Sequence, residues 1–269
     1  MAMDLSDHFV IDGGVPLRGE VRPAGNKNAA LPALAACLLT DEPVTLRNLP
    51  AIRDVETMGS LLTSLGVQVD RPDPNTWVLQ ADGLGRPISA RMAPELFRAI
   101  RGSILLAGPL LGRRGGFAIP APGGDVIGRR RVDTHFLAFR AMGATVEVRD
   151  GLFHVEASRL KGADILLDEA SVTGTENAVM AAVLAEGLTV IRNAASEPHV
   201  QDLCRLLNAM GAQISGIGTN TLRVDGVAGL HGAEYVIGSY HIEVGSYIAL
   251  AAATGGEITI RDAAPTNLR

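Results

Sequence analysis

A lone acid set among glycines, followed at once by three arginines, marks the stretch PGGDVIGRRRVDTH at residues 122–135. Gly123, Gly124 and Gly128 allow backbone conformations with positive φ that other residues resist. Asp125 sits at the centre of that loop, and Arg129, Arg130 and Arg131 follow. A helix is predicted to begin at Asp133, whose short acidic side chain suits an N-cap. An anion placed there would meet guanidinium groups and the unpaired N–H groups of a helix start together. An arginine run alone is more often a solvated basic turn, so the weight of this segment depends on the elements that carry it.

Those elements repeat. The segment 62–69 matches 139–146 and 207–214, each reading as a helix end, a glycine (Gly66, Gly143, Gly211) and the start of an alternating strand. Eleven residues before each glycine stands a valine, Val55, Val132 or Val200, followed by a polar residue. Upstream of each lies a helix rich in small residues, at 29–39, 100–111 and 177–186, with a further one at 245–253. Strands follow these at 44–48, 117–120, 189–193 and 258–262, and hairpin segments at 77–80, 153–156 and 221–225 complete each unit. The order predicts an α/β fold of βαβαββ units, three complete and a fourth incomplete. A strand at 258–260 without its covering helix leads us to expect a piece of a longer protein.

Composition sets the class. The chain has 269 residues, 47% hydrophobic and only 4% aromatic, enough for one large domain or two smaller ones. A net charge of −5 gives no electrostatic support for nucleic acid. The positive charge is local: between Arg113 and Arg140 stand six arginines against Asp125 and Asp133, which suits a small anionic substrate. Cys37 and Cys204 lie in apolar helical runs, as expected of reduced packing residues. The acidic start lacks a signal-peptide core, and the apolar runs are too short to span a bilayer, so a soluble, cytoplasmic protein is expected. The six histidines show no metal-ligand spacing, and no dinucleotide fingerprint, P-loop or nucleophile elbow is present, so neither metal nor cofactor is expected.

The second unit departs from its siblings. Its strand-to-helix link alone is lengthened and filled with glycines, Asp125 and arginines, and specialisation of one copy points to function. A second anomaly is Lys27, opening an alanine-rich helix against the macrodipole, a position that suits a lysine only with an anion beside it. Arg98 and Arg101 open the equivalent helix of the second unit, and the segment 171–177 (SVTGTEN) opens it in the third. Pseudosymmetry predicts that three helix starts bring cations and hydroxyls to one face. Glu243 reads as a cap or surface acid.

On GNKNAALP (25–32), the 122–135 loop and SVTGTEN, the chain resembles the enolpyruvyl transferase family, from Phe9 to Arg269. The resemblance implies an inside-out α/β barrel, with residues 22–236 forming one complete domain and residues 1–21 plus 237–269 a partial second one. It implies transfer of the enolpyruvyl group of phosphoenolpyruvate to the 3-hydroxyl of UDP-N-acetylglucosamine with release of phosphate, the first committed step of peptidoglycan synthesis. By the same resemblance Lys27 contacts phosphoenolpyruvate and Asn28 touches both substrates. Arg101 contacts the UDP-sugar, and Arg130, Arg131, Val132, Asp133, Thr134 and His135 lie in or beside the uridine-binding segment. Ser171 and Val172 match diphosphate- and uridine-side contacts. Asp125 stands where most members have cysteine and is the implied proton donor, given a pKa raised by desolvation in the closed loop. Glu169, and the segment Ser239, Tyr240, His241, depart from the family pattern. The general base and the arginines that close over the donor are expected beyond Arg269, so this chain alone is expected to be inactive. The sister reaction on shikimate 3-phosphate and a non-catalytic nucleotide-sugar-binding fragment are the alternatives.

Overall fold

The computed structural model describes residues 10–84, 93–124 and 131–268. In chain order it runs β1 (Arg18–Val21), α1 (Lys27–Ala36), β2 (Val44–Arg47), α2 (Arg53–Ser64), β3 (Gln68–Asp73), β4 (Thr76–Gln80) and α3 (Pro94–Ala99). A 3₁₀ segment (Arg101–Leu106) then leads into α4 (Ala107–Arg114), followed by β5 (Gly116–Pro120), α5 (Asp133–Ala141), β6 (Thr145–Arg149), β7 (Leu152–Glu156) and β8 (Asp164–Leu166). The rest is α6 (Val172–Ala182), β9 (Leu188–Arg192), α7 (Pro198–Ala209), β10 (Gln213–Ser215), β11 (Thr221–Asp225), β12 (Glu234–Val236), α8 (His241–Thr254) and β13 (Glu257–Ile260). The chain divides into two compact units: Gly25–Gly238, and a smaller one that runs to Ala24 and resumes at Ser239.

Within Gly25–Gly238 the repeats share one wiring. The strand after each inner helix pairs antiparallel with the second strand of the following hairpin: β2 with β4, β5 with β7, β9 with β11. Two of these sheets gain a parallel strand at the other edge, β8 beside β9 and β12 beside β2. Because β12 comes last in this unit yet joins the first repeat's sheet, the chain closes its own circle. In the smaller unit β1 pairs parallel with β13, the same relation again.

Amphipathic α2 and α7 bury one face each, through Val55, Met58, Leu61 and Leu62, and through Val200, Leu203, Leu206 and Leu207. The inner helices have no solvent-exposed face. Every residue of α1 from Ala29 to Ala36 is buried, as is every residue of α6 from Gly174 to Ala182. Small side chains allow this: a Cβ on Gly108 of α4 would stand 2.5 Å from the Asn177 carbonyl oxygen on α6. Helices packed centrally with sheets outside them match the inside-out arrangement.

The repeated glycines end their helices identically. Gly66, Gly143 and Gly211 have φ of +97°, +95° and +100°. Each N–H bonds back three residues and the next N–H bonds back five, as in Gly143 to Arg140 and Ala144 to Phe139, a Schellman closure. The second repeat differs upstream. Asn48 and Asn193, both at positive φ, donate side-chain N–H groups to the carbonyls of Ile237 and Leu167 after β2 and β9. Ala121 takes that place after β5. Five residues link β2 to α2 and β9 to α7, against twelve between β5 and α5.

Two readings are corrected here. The helix expected at 100–111 is instead the 3₁₀ segment followed by α4, and a separate helix, α3, precedes them with Ile100 extended between. Arg98 therefore sits in the last turn of α3. Asp133 is the first residue of α5 rather than its cap, which is Val132 and offers no side-chain bond. Gly143→Ala should lose about 1 kcal/mol in denaturant unfolding, since nothing crowds a Cβ there and only left-handed backbone strain is added.

Candidate functional site

A cleft of about 410 Å³ opens within Gly25–Gly238, lined by residues of all three repeats. Lys27 and Asn28 of α1, Arg101 of the 3₁₀ segment, and Val172 and Thr173 of α6 border it. These are the segments that pseudosymmetry predicted on one face, except that Arg98, in the last turn of α3, is not part of the lining. Both α1 and α6 begin there with capped ends: Asn26 accepts from the Asn28 N–H at 2.9 Å, and Ser171 accepts from the Gly174 N–H at 3.2 Å. Their positive ends therefore face the cleft.

Lys27 is paired. Its Nζ lies 2.9 Å from Asp54 Oδ2 on the first turn of α2, and both side chains are substantially exposed, at 41% and 35%. A pair so wetted contributes little to stability and can exchange for a ligand anion at small cost. Arg101 donates from Nη2 to the Arg131 carbonyl at 3.0 Å, fastening the cleft to the arginine segment. Gly124 lines the cleft, and a Cβ on Gly123 would lie 1.6 Å from the Arg98 carbonyl oxygen. The paired glycines thus bring the chain against the backbone that precedes Arg101. Asp125 and Arg130, with Arg129, lie outside the described residues.

Beside the cleft, Arg131 pairs with Asp133 and with Asp168, 2.5 Å away. Thr134 donates to Asp168 at 2.8 Å, and that bond, with Arg131, holds the Asp168 carboxyl below its ordinary range. Thr134 and His135 are buried and spend their polar atoms inside the protein. The Asn177 amide oxygen accepts from the Gly108 N–H at 2.6 Å, so its nitrogen is the donor to the Ile104 carbonyl and to His135 Nδ1, at 3.0 and 2.9 Å. Nδ1 must then accept, which puts the proton on Nε2, 3.3 Å from Thr173 Oγ1. Burial, and after it the Arg101 charge, depress the His135 pKa to about 4.

The structure thus places Lys27, Asn28, Arg101 and Val172 at the cleft. Arg131, Val132 and Asp133 lie beside it, and Ser171 caps the helix that feeds it. Asp54, Glu176 and His199 also belong to the lining and went unremarked in the sequence. Asp54 carries no local signal, but Glu176 lies inside the SVTGTEN motif and is an ionisable residue in a helix with no solvent face. Glu243 belongs to the smaller unit, accepting from the Ala24 N–H at 2.8 Å and from the Tyr247 hydroxyl. Cys37 and Cys204 are buried, with thiol pKa values raised by desolvation, to about 12 for Cys204. Among the described residues no cluster of His, Cys, Asp and Glu could hold a metal, and no helix is long and apolar enough to cross a membrane.

Because His135 takes a proton less readily folded than unfolded, its contribution to stability is complete above about pH 6.5 and is lost as pH falls towards 4. Thermal unfolding across that window should show a steeper decline for the wild type than for His135→Gln, which cannot ionise there.

The chain is 51% identical over 261 residues to the UDP-N-acetylglucosamine 1-carboxyvinyltransferase of Treponema denticola, covering 97% of this chain and 60% of that protein. Proteins of the same name from Treponema pallidum and Bradyrhizobium diazoefficiens are 53% and 52% identical over the same shares. The chain therefore spans about 60% of the length of the curated relatives it matches. Among solved structures, the enolpyruvyl transferase NikO from Streptomyces tendae superposes with a TM-score of 0.75 at 23% identity, over 88% of this chain and 55% of that one. An EPSP synthase from Acinetobacter baumannii gives 0.68 at 19% identity, over 84% and 51%. Both share the fold. With residues 11–269 matching its sequence profile, the chain belongs to the EPSP synthase (3-phosphoshikimate 1-carboxyvinyltransferase) family.

Proposed function

We propose that the protein containing this chain transfers the enolpyruvyl group of phosphoenolpyruvate to the 3-hydroxyl of UDP-N-acetylglucosamine, releasing phosphate. The observation that carries this reading is the cleft itself. Lys27, Arg101 and the positive ends of α1 and α6 converge from three repeats on one volume of about 410 Å³. Phosphoenolpyruvate presents a phosphate and a carboxylate on three carbons, and such a ligand suits cations and helix N-termini held at short range. Relatives at about half identity bear the name of this acceptor's transferase, which supports the nucleotide-sugar over shikimate 3-phosphate.

The chemistry needs an acid to protonate the enol methylene, a base to take the sugar hydroxyl proton, and cations to hold the phosphate that leaves. Asp125, on the extended link of the second repeat, is the acid in this reading, and Lys27 and Asn28 hold the donor. Arg101 and the segment of Arg130, Arg131, Val132, Asp133, Thr134 and His135 hold the nucleotide-sugar, with Ser171 and Val172 at the start of α6. The paired Lys27 is suited to its role: Asp54 keeps the ammonium aimed before the substrate replaces it. Peptidoglycan synthesis, with its demands on cell shape and division, is the process served, and both substrates place it in the cytoplasm.

The test is phosphate release with phosphoenolpyruvate and either acceptor, using the protein that contains this chain. Turnover is expected with UDP-N-acetylglucosamine, and turnover with shikimate 3-phosphate alone would overturn the reading. Lys27→Ala should lower kcat/KM for phosphoenolpyruvate by about a hundredfold. The epoxide fosfomycin alkylates a loop cysteine, so it should inactivate the wild type poorly and the Asp125→Cys variant rapidly.

A further inference from the structure

Glu176 is the fifth residue of α6 and lines the cleft, yet it is only 1% exposed. Its Oε1 is buried with no hydrogen-bond partner. Among the described residues its carboxyl makes no ion pair, although Lys27 and Arg101 border the same volume. Lys27 points its charge at Asp54 instead. A buried carboxylate without hydrogen bonds or a counter-ion is among the most costly groups a protein can hold. A buried carboxylic acid costs far less, and it carries an O–H that can donate.

The groups around it push the same way. Desolvation raises the Glu176 pKa well above the usual carboxylate range, and the charge of Glu197, just before α7, raises it further. Facing groups are Lys27 on α1, Asp54 on α2, Arg101 on the 3₁₀ segment, and His199 on α7, with Cys204 also within electrostatic reach. An anion entering the cleft would add negative charge and hold the proton more firmly.

We propose that Glu176 is a ligand-binding residue of the cleft, standing there as a neutral acid that donates its O–H to a phosphate or carboxylate oxygen of the bound anion. This rests on the cleft as the phosphoenolpyruvate site and assigns it a donor that carries no charge. A third cation would repel Lys27 and Arg101 in the empty cleft, whereas a neutral acid contributes a hydrogen bond without that repulsion. The donor has a cost: it is lost once the acid ionises.

The experiment is calorimetric titration with inorganic phosphate and with phosphoenolpyruvate from pH 6 to 9, for the wild type, Glu176→Gln and Glu176→Leu. The ionisation of phosphate is common to all three proteins and cancels in ratios between them. Glu176→Leu should bind about tenfold more weakly at pH 6, and Glu176→Gln, which retains an N–H donor, should recover most of that loss. The wild type to Glu176→Gln affinity ratio should fall as pH rises. A ratio that stays flat across the pH range in which the Glu176 carboxyl is seen to ionise would overturn the proposal. Carbon-13 spectra of side-chain-labelled glutamate, assigned by the signal missing from Glu176→Gln, decide the matter even where Glu176→Leu does not fold. A Glu176 carboxyl titrating near pH 4 to 5, the ordinary range, refutes the neutral acid. Expected pH dependence without enolpyruvyl transfer leaves Glu176 in its role and removes the proposed reaction. Transfer with an ordinary Glu176 titration does the reverse.

Discussion

A helix buried on every side meets solvent and ligands only at its ends. That constraint governs Gly25–Gly238, where α1 and α6 keep eight and nine consecutive residues out of water. Their backbones are satisfied internally, many of their side chains are small, and no lateral face is left open to solvent. The first-turn N–H groups are the exception, since no helical carbonyl precedes them. A fold that wraps sheets around central helices therefore places its unsatisfied donors, and the positive ends of its macrodipoles, at one mouth. The cleft follows from the packing.

Positive potential collected in this way has to be balanced while the cleft is empty. Asp54 holds Lys27, the Arg131 carbonyl holds Arg101, and Asp133 with Asp168 holds Arg131. His135, which would add charge if protonated, is kept neutral by burial and by Arg101. These contacts are partly solvated and individually weak, so they orient the cations without locking them. The Asn177 amide does the opposite. It is fully buried and uses its oxygen and nitrogen to tie α4, the 3₁₀ segment and α5 to α6. Rigid scaffold and exchangeable charge are thus assigned to different side chains a short distance apart.

The repeats separate what the fold needs from what the site needs. Schellman glycines recur in every copy, and positive-φ asparagines close β2 and β9 alike. The second copy gives up its asparagine and extends the link, and Gly123 and Gly124 carry the chain against Arg98 and Arg101 before the arginines begin. One copy of a triplicated unit can lengthen a link without loss because the other two hold the circle closed.

The repeat order, the helix-ending glycines, the hairpins and the anomaly of Lys27 were all written in the sequence, because each depends on residues close along the chain. Periodicity and φ preference are local properties. Partners distant in sequence were not legible. Nothing near Asp54 marks it as the counter-ion of Lys27, and the tautomer of His135 depends on Asn177, which depends in turn on Gly108. Asp133 looked like a cap because short acids favour that place, but it is the first residue of α5, and its carboxylate is spent on Arg131. Glu176 shows the division most plainly: its charge is evident in the sequence, and only the enclosure of α6 on all sides makes that charge untenable. Local chemistry determined the elements and their ends; the state of each ionisable group was decided by what three repeats bring together in space.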